Sequence, residues 1–365
     1  MRLLLVTHSL ATGGTDRVAV HLANGFAQRC ETTLLTVRKP SPSTGLIELI
    51  DPKVELISLD RNARSRAIDL ILGVVPLVRL VRRMQPDQII ATGNNNSLFA
   101  MIGHLANPNP LRRFAVKITN PVVRAKDGWF KRTFRTALYR LVLGRCSRIL
   151  VLSEGEGRAI AALYPAFVDR IRVTHNPYVT PAMLAAVSQP ETTGVERGFL
   201  VIGRLHSQKN IPLLLEAWAI ARPANARLRI AGEGPLLASL VAQTDRLGIT
   251  SVVDFLGYRT DVAALLGAAH CMILSSDYEG LPAVVLEAFA ASCPVISTDC
   301  FPAAAELVGA APGCVMVPCR DVSALATAIS TVAARLGTAD AGLRQLSLPY
   351  AIADAIANHL SALQF

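Results

Sequence analysis

Short apolar, β-branched runs alternate with helix-length amphipathic stretches along almost the whole chain. In the first half the strand-like runs cover residues 3–7, 32–37, 55–59, 88–91, 114–118, 147–152 and 170–174, and helical stretches begin near Thr15, Arg66, Ser97, Lys131 and Ser153. The rhythm restarts after a Pro/Thr/Glu/Gly-rich segment, 189–198, with runs at 199–202, 227–231, 252–256, 271–274, 294–297 and 314–317. Such alternation predicts βαβ units around parallel sheets. The predicted fold class is α/β, with two consecutive doubly wound Rossmann-like domains. Residues 1–180 are expected to form the first domain, 181–197 a linker and 198–350 the second domain. The tail 351–365 is helical in pattern without a strand to feed, and is expected to cross back to the first domain.

Composition narrows the class. With 365 residues, 51% hydrophobic and 18% charged, the chain can bury two cores, which excludes extended disorder. Seven cysteines, an odd number without metal-ligand spacing, sit mostly in apolar runs and read as small core hydrophobes in a reduced, cytoplasmic compartment. The first run leads directly into a glycine-rich turn, so no secretory signal is expected. The stretch 68–84 carries Asp69, Pro76, Arg79, Arg82 and Arg83. It is too short and too charged for a membrane span and reads as an amphipathic or buried helix. Charge is unevenly placed: residues 1–180 hold 26 Lys/Arg against 12 Asp/Glu, whereas 181–365 hold 11 against 15. A basic half facing an acidic partner is one explanation and a solvated basic face the other.

Four segments carry candidate chemistry at strand ends, where open α/β sheets bind ligands. Gly13-Gly14-Thr15-Asp16 precedes a helix, and its glycines either admit a ligand to the helix N-terminus or serve a tight turn. It lacks the spacing of a dinucleotide fingerprint or a P-loop. Arg204 and Lys209, in Gly203-Arg204-Leu205-His206-Ser207-Gln208-Lys209-Asn210, place two cations at a helix mouth that by itself favours anions. A diphosphate clamp explains them, as does a salt bridge to Glu233 or another carboxylate. Gly232 and Gly234 mark a third turn. The fourth, Ser275-Ser276-Asp277-Tyr278-Glu279-Gly280-Leu281-Pro282, leads into a helix bearing Glu287 among apolar neighbours. A carboxylate there needs a hydrogen-bond partner, from a ribose diol, a backbone N–H or a buried Arg.

Taken together these segments resemble the retaining nucleotide-sugar glycosyltransferases of the GT-B architecture, glycosyltransferase family 4 type, which assemble bacterial lipopolysaccharide, polysaccharide and oligosaccharide. The resemblance runs from Gly13-Gly14 to Ala291-Ser292-Cys293-Pro294-Val295-Ile296, and the Glu279/Glu287 pair, eight positions apart, is its most specific part. It implies that Arg204 and Lys209 hold the donor's pyrophosphate and stabilise the departing nucleotide. Glu287 would accept hydrogen bonds from the ribose. Glu279, with the backbone of Gly280, Leu281 and Pro282, would orient the donor sugar, and Gly13 and Gly14 would approach phosphate and sugar from the first domain. Arg204, Lys209 and Glu279 are thus the expected catalytic residues. The donor is expected to be a nucleoside-diphosphate sugar of the uridine type, the acceptor a glycan or lipid-linked hydroxyl, with no cofactor and no metal. A nucleotide-sugar epimerase and a non-catalytic carbohydrate- or nucleotide-binding protein are the alternatives.

Two departures from the family pattern stand out. Asn120 occupies the approximate place of a histidine, and can hydrogen-bond a sugar hydroxyl but cannot act as a base at neutral pH. Cys293 stands where glycine is common. The stretch 124–140 interleaves Trp129, Phe130 and Phe134 with Lys131, Arg132, Arg135 and Arg140. It reads either as an interfacial helix on the cytosolic face of an anionic inner membrane or as a core helix with a basic flank. No nucleic-acid recognition signature accompanies the charge, so nucleic acid is not an expected partner.

Overall fold

The computed structural model describes residues 1–11, 14–40, 45–123, 128–185, 197–335 and 341–364. They form two compact units, Met1–Pro177 with Ile352–Phe365, and Tyr178–Ala351. In the first unit the strands are β1 (Arg2–Thr7), β2 (Glu31–Arg38), β3 (Val54–Arg61), β4 (Gln88–Ala91), β5 (Arg113–Lys117), β6 (Arg148–Val151) and β7 (Ile171–Val173). They pair in parallel in the order β3-β2-β1-β4-β5-β6-β7. The helices between them are α1 (Gly14–Ala27), α2 (Arg66–Met84), α3 (Ser97–Ala106), α4 (Trp129–Gly144) and α5 (Glu154–Leu163).

The second unit holds β8 (Arg197–Ile202), β9 (Ala226–Ala231), β10 (Val253–Gly257), β11 (Cys271–Leu274), β12 (Val295–Thr298) and β13 (Val315–Val317). Their order is β10-β9-β8-β11-β12-β13, again parallel. Its helices are α6 (Pro181–Ala185), α7 (Ile211–Ala221), α8 (Leu237–Leu247), α9 (Val262–Gly267), α10 (Ala283–Ala290), α11 (Val322–Ala333) and α12 (Ala341–Ser347). In both sheets the strand order reverses direction beside the first strand, between β1 and β4 and between β8 and β11. Ligand-binding crevices of doubly wound sheets form at such points.

Local chemistry fixes several helix ends. Ser65 Oγ accepts the Ile68 N–H at the start of α2, and Gln85, in the left-handed region at φ 48°, ends it before Pro86. Ser153 Oγ accepts the Glu156 N–H while the Glu156 carboxylate accepts the Leu152 N–H, a reciprocal cap on α5. Each unit has its own apolar core: Leu4, Val6, Ile89, Phe99, Phe114 and Val116 lie in the first, and Phe199, Leu214, Trp218, Ile230 and Ile273 in the second. His104 stacks on Phe114 with ring centroids 5.4 Å apart, and burial lowers its pKa to about 4, which suits a neutral core ring.

The expected linker needs correction at its start. Thr180 Oγ1 accepts the Met183 N–H and Pro181 opens the single-turn helix α6, so 181–185 is folded into the second unit, while 186–196 lies outside the described residues. The chain leaves the first unit at Pro177 and re-enters it at Ile352. Those two junctions are neighbours: Tyr178 and Val179 both donate their N–H to the Tyr350 carbonyl, and Val179 bridges Ala351.

The re-entering tail is α13 (Ile352–Leu363), which packs on α1 of the first unit. Gly25 permits that approach, since a Cβ there would meet Ile356 Cδ1 at 2.3 Å. Its buried His359 donates from Nδ1 to the Ala355 carbonyl and accepts at Nε2 from the Lys117 ammonium, 2.7 Å away. Lys117 also donates to Thr174 Oγ1 at 3.1 Å, and complete burial lowers its pKa to about 7.

Candidate functional site

In the second unit the loops after β8, β9 and β11 are joined into one structure. Gly203 donates its N–H to the Ala231 carbonyl, Leu205 donates to the Glu233 carbonyl and Gly232 donates to the Gly257 carbonyl. Backbone touches backbone at two glycines. A Cβ on Gly232 would stand 1.9 Å from the Gly203 carbonyl oxygen, and one on Gly234 would stand 2.4 Å from that of Leu205. These glycines are therefore required by loop packing itself.

Polar side chains complete the assembly. Asp277 donates its N–H to the Gln208 carbonyl, and Gln208 Nε2 donates to the Tyr278 carbonyl. Asn210 Nδ2 donates to Asp277 Oδ1 at 2.9 Å, Arg320 grips the same carboxylate, and Ser275 Oγ donates to the Lys209 carbonyl. This scaffold brings Lys209 to Glu279, with Nζ 2.8 Å from Oε1. The carboxylate that Lys209 meets is thus Glu279, not Glu233. Ser276 Oγ donates to the same Oε1 at 2.9 Å, and the Glu279 N–H is held by the Cys300 carbonyl. Both side-chain contacts fall on one oxygen, so Oε2 keeps its acceptor capacity, and Lys209 keeps two of its three donors. Arg204 is exposed and has no side-chain partner among the described residues. Glu287 is buried on α10, and the Leu281 carbonyl accepts from the Tyr178 hydroxyl.

The first unit presents a separate polar cleft of about 130 Å³ at the ends of β1, β4 and β5. Thr7, His8, Asp16, Arg66, Asn94 and Asn120 are among its walls. Asn94 organises it: its Oδ1 accepts the N–H groups of Thr119 and Asn120 and the Thr119 hydroxyl, and its Nδ2 donates to the Asn120 carbonyl. Asn120 is exposed there. His8 is buried with neither ring nitrogen hydrogen-bonded among the described residues; burial first, then Arg66, lowers its pKa. Asp69, 3.4 Å from His8 Nε2, is already engaged by Arg38 and the Ala63 N–H. Asp16 is pushed up to about 6 by burial, although its Oδ2 accepts the Ala11 N–H. Gly13 lies outside the described residues. Gly14 opens α1, and a Cβ on it would meet nothing within 4 Å, so neither turn nor packing demands glycine there.

Sequence places Arg204, Lys209, Glu279, Gly280, Leu281 and Pro282 at strand ends of the second unit and Glu287 on the helix that follows; of these side chains the structure joins Lys209 to Glu279. The sequence reading missed the residues that brace them, Gln208, Asn210, Asp277 and Arg320. It also missed Asn94, although three consecutive asparagines at a strand end, Asn94–Asn96, are an unusual polar signal. Among the described residues no helix is long and apolar enough to cross a membrane, and no group of three or more His, Cys, Asp or Glu is placed to hold a metal ion.

Comparison with known proteins places this geometry in context. Residues 13–177 match the model of the glycosyl transferase 4-like domain and residues 196–335 that of glycosyl transferases group 1. The lipopolysaccharide core biosynthesis glycosyltransferase LpsE of Rhizobium meliloti is 26% identical over 78% of this chain and 76% of its own. A Campylobacter jejuni α-1,4-N-acetyl-D-galactosaminyltransferase, named for a GalNAc-extended diNAcBac-PP-undecaprenol, is 25% identical over 91% of this chain and 89% of its own. Among solved structures, Anabaena HepE in complex with UDP superposes over all of both chains with a TM-score of 0.77 at 18% identity.

Proposed function

The chain belongs to the family 4-type glycosyltransferases of GT-B architecture, and from that premise we propose that it transfers a sugar from a nucleoside-diphosphate sugar, of the uridine type, to an acceptor hydroxyl with retention at the anomeric carbon. The observation that carries this reading is the Lys209–Glu279 pair beside Arg204, an exposed cation with no side-chain partner among the described residues. Two cations at one strand-end cradle suit a diphosphate, and a carboxylate with one free oxygen suits a sugar hydroxyl. UDP in the structurally similar HepE supports the choice of nucleotide.

In the proposed reaction the acceptor hydroxyl forms a bond to the anomeric carbon as the bond to the diphosphate oxygen breaks on the same face. The hydroxyl proton passes to the leaving diphosphate. Arg204 and Lys209 compensate the charge that grows on that leaving group, and they act before water can reorganise around it. Glu279 and the backbone of Gly280, Leu281 and Pro282 hold the sugar, Glu287 the ribose, and Gly14 admits the donor phosphate and sugar to the first unit. Since the chain itself supplies two cations, the reaction is proposed to run without a divalent ion, so a chelator leaves turnover unchanged.

The acceptor is a glycan or lipid-linked glycan of cell-envelope polysaccharide synthesis, supported by the names of the Rhizobium and Campylobacter relatives. Asn94 and Asn120 position its hydroxyls in the first-unit cleft. Attachment to the cytosolic face of an anionic membrane is part of the same reading. Trp129, Phe130 and Phe134 of α4 are exposed beside Arg132 and Arg140, and the helix buries only Tyr139, Val142 and Leu143.

Donor consumption tests the reading, measured for uridine and guanosine sugars with and without a lipid-linked glycan extract. Acceptor-dependent product whose new linkage keeps the donor's anomeric configuration by NMR is expected. Consumption without acceptor would signify isomerisation or hydrolysis, and no acceptor-dependent product with any donor would sink the proposal.

A further inference from the structure

The first-unit cleft holds two buried side chains whose hydrogen-bonding capacity is unused among the described residues. His8 follows β1 and is 6% exposed, and neither ring nitrogen is bonded. Asn96, in the turn before α3, is likewise 6% exposed, and its Oδ1 is unbonded. Both line the cleft together with Asn94 and Asn120. A buried polar atom without a partner forfeits its hydration for nothing, so a folded chain retains one where a ligand completes it. Loose packing does not account for His8. Its carbonyl accepts the N–H groups of Val37 and Arg38, while Thr92 donates both its N–H and its hydroxyl to the Val6 carbonyl. The end of β1 is thus fastened to β2 on one side and β4 on the other, which holds the imidazole against the cleft.

Chemistry restricts what that ligand is. Asp69 Oδ2 lies 3.4 Å from His8 Nε2, and a carboxylate beside one ring nitrogen favours the proton there. Asp69 cannot turn further toward the ring, because Arg38 and the Ala63 N–H already hold its two oxygens. Burial, then Arg66, outweighs Asp69 and keeps the imidazole neutral, and Arg38 acts in the same direction. A neutral ring with its proton on Nε2 offers Nδ1 as a lone pair. The Asn96 Oδ1 is a lone-pair site too. Two unused lone-pair sites require a ligand with two donors. Sugar hydroxyls donate, whereas a carboxylate or an ionised phosphate oxygen does not.

We propose that His8 and Asn96 select the acceptor glycan: His8 Nδ1 and Asn96 Oδ1 each take a hydrogen bond from a hydroxyl of an uncharged sugar. The inference rests on the placement of the acceptor in the first-unit cleft and adds the residues that choose it. Neither side chain removes the reacting proton, which passes to the leaving diphosphate; they hold the sugar in place for attack. Such a role has a signature. A group that is unsatisfied until its ligand binds lowers stability and raises affinity, so its removal moves the two in opposite directions.

His8→Leu and His8→Asn test it in the full chain, the second because an asparagine Oδ1 can stand near the place of Nδ1. The thermal midpoint of His8→Leu should equal or exceed that of the wild type, while KM for a lipid-linked glycan extract rises about five- to tenfold and donor KM stays unchanged. His8→Asn should recover most of that loss, and Asn96→Leu should behave like His8→Leu. A second measurement needs no turnover. In long-range 1H–15N spectra of protein labelled at its seven histidines, the His8 signals are those missing from His8→Leu. They should show a neutral ring protonated on Nε2, with an Nδ1 signal that moves on addition of galactose or N-acetylgalactosamine and not of inorganic phosphate.

Unchanged acceptor KM in His8→Leu would remove His8 from the site. A lower midpoint with acceptor and donor KM both raised would make its role structural. An Nδ1 signal that answers to phosphate alone, or to none of these probes, would exclude a sugar hydroxyl as its partner. Each of these results overturns the inference. If no acceptor-dependent product forms with any donor, the sugar-transfer reading fails by itself, and the Nδ1 signal still decides whether His8 and Asn96 bind sugar.

Discussion

The strand-end loops of the two units are held by different kinds of bond. In the second unit the β8 and β11 loops are fastened by charged and charge-assisted contacts, Lys209 to Glu279 and Asp277 to both Asn210 and Arg320. In the first unit the β4 and β5 loops are instead joined by one neutral amide, Asn94, and beside it His8 stays buried with both ring nitrogens unbonded among the described residues. A charged scaffold keeps its geometry while it exchanges water for a charged ligand, because its own bonds are strong in a desolvated site. A neutral scaffold with spare donors and acceptors suits an uncharged polyol. The contrast matches the division proposed above, a diphosphate donor on the second unit and hydroxyl groups on the first.

Lys209→Ala breaks the charged side most sharply. It is expected to lower kcat by about 10²–10³-fold, the scale of a lost transition-state stabiliser, while a half-buried strand-end cation contributes little to the thermal midpoint. Steady-state kinetics beside a melting curve measures both. A variant with full turnover would remove Lys209 from the reaction.

Asn94→Ala tests the neutral side. Four hydrogen bonds between the β4 and β5 loops disappear, so stability should fall by about 1–2 kcal/mol and the acceptor KM should rise about tenfold, with donor KM unchanged. A rise in donor KM instead would contradict the division of labour between the units.

Gly14→Ala sharpens the comparison where the donor is proposed to reach the first unit. Nothing within 4 Å opposes a Cβ, so denaturation should show stability equal to the wild type or raised by up to about 1 kcal/mol. Donor KM should nevertheless rise several-fold. Unchanged KM would leave Gly14 without a role in donor approach.

The smallest effect concerns the tie between α13 and the first sheet. Lys117 titrates near pH 7 when folded and near 10.5 when unfolded, so between these values the unfolded chain binds more protons and stability rises with pH. Cys146, Cys271, Cys293, Cys300 and Cys319 are all held up by burial, so they oppose the trend as unfolded thiols, with an ordinary value of 9.0, begin to ionise. The clean window is therefore about pH 7 to 8. Urea midpoints should rise across it in the wild type and stay level in Lys117→Met; parallel profiles would show that Lys117 is not the group responsible.

Much of this protein was legible in its sequence because local physics carries it. Alternating strand and helix periods dictated two parallel α/β sheets, and Pro282 after Gly280 announced a loop feeding a helix that bears Glu287. Apolar periodicity marked α4 as amphipathic, whereas the length and charges of α2 left it amphipathic or buried. The glycines of the β9 turn were visible, but not the reason for them, which is contact with the Gly203 and Leu205 carbonyls about thirty residues earlier in the chain. Only the tertiary structure decided which carboxylate meets Lys209, since Glu233 and Glu279 both follow strands that flank β8 and only the fold of the β11 loop brings one of them within 2.8 Å. It decided likewise that Asn94 holds the first-unit loops, that His359 meets Lys117 across 242 positions of sequence, and which side of α2 faces water. Periodicity is a property of neighbours along the chain and can be read from them. Partners and exposed faces depend on how distant segments pack, which no local pattern contains.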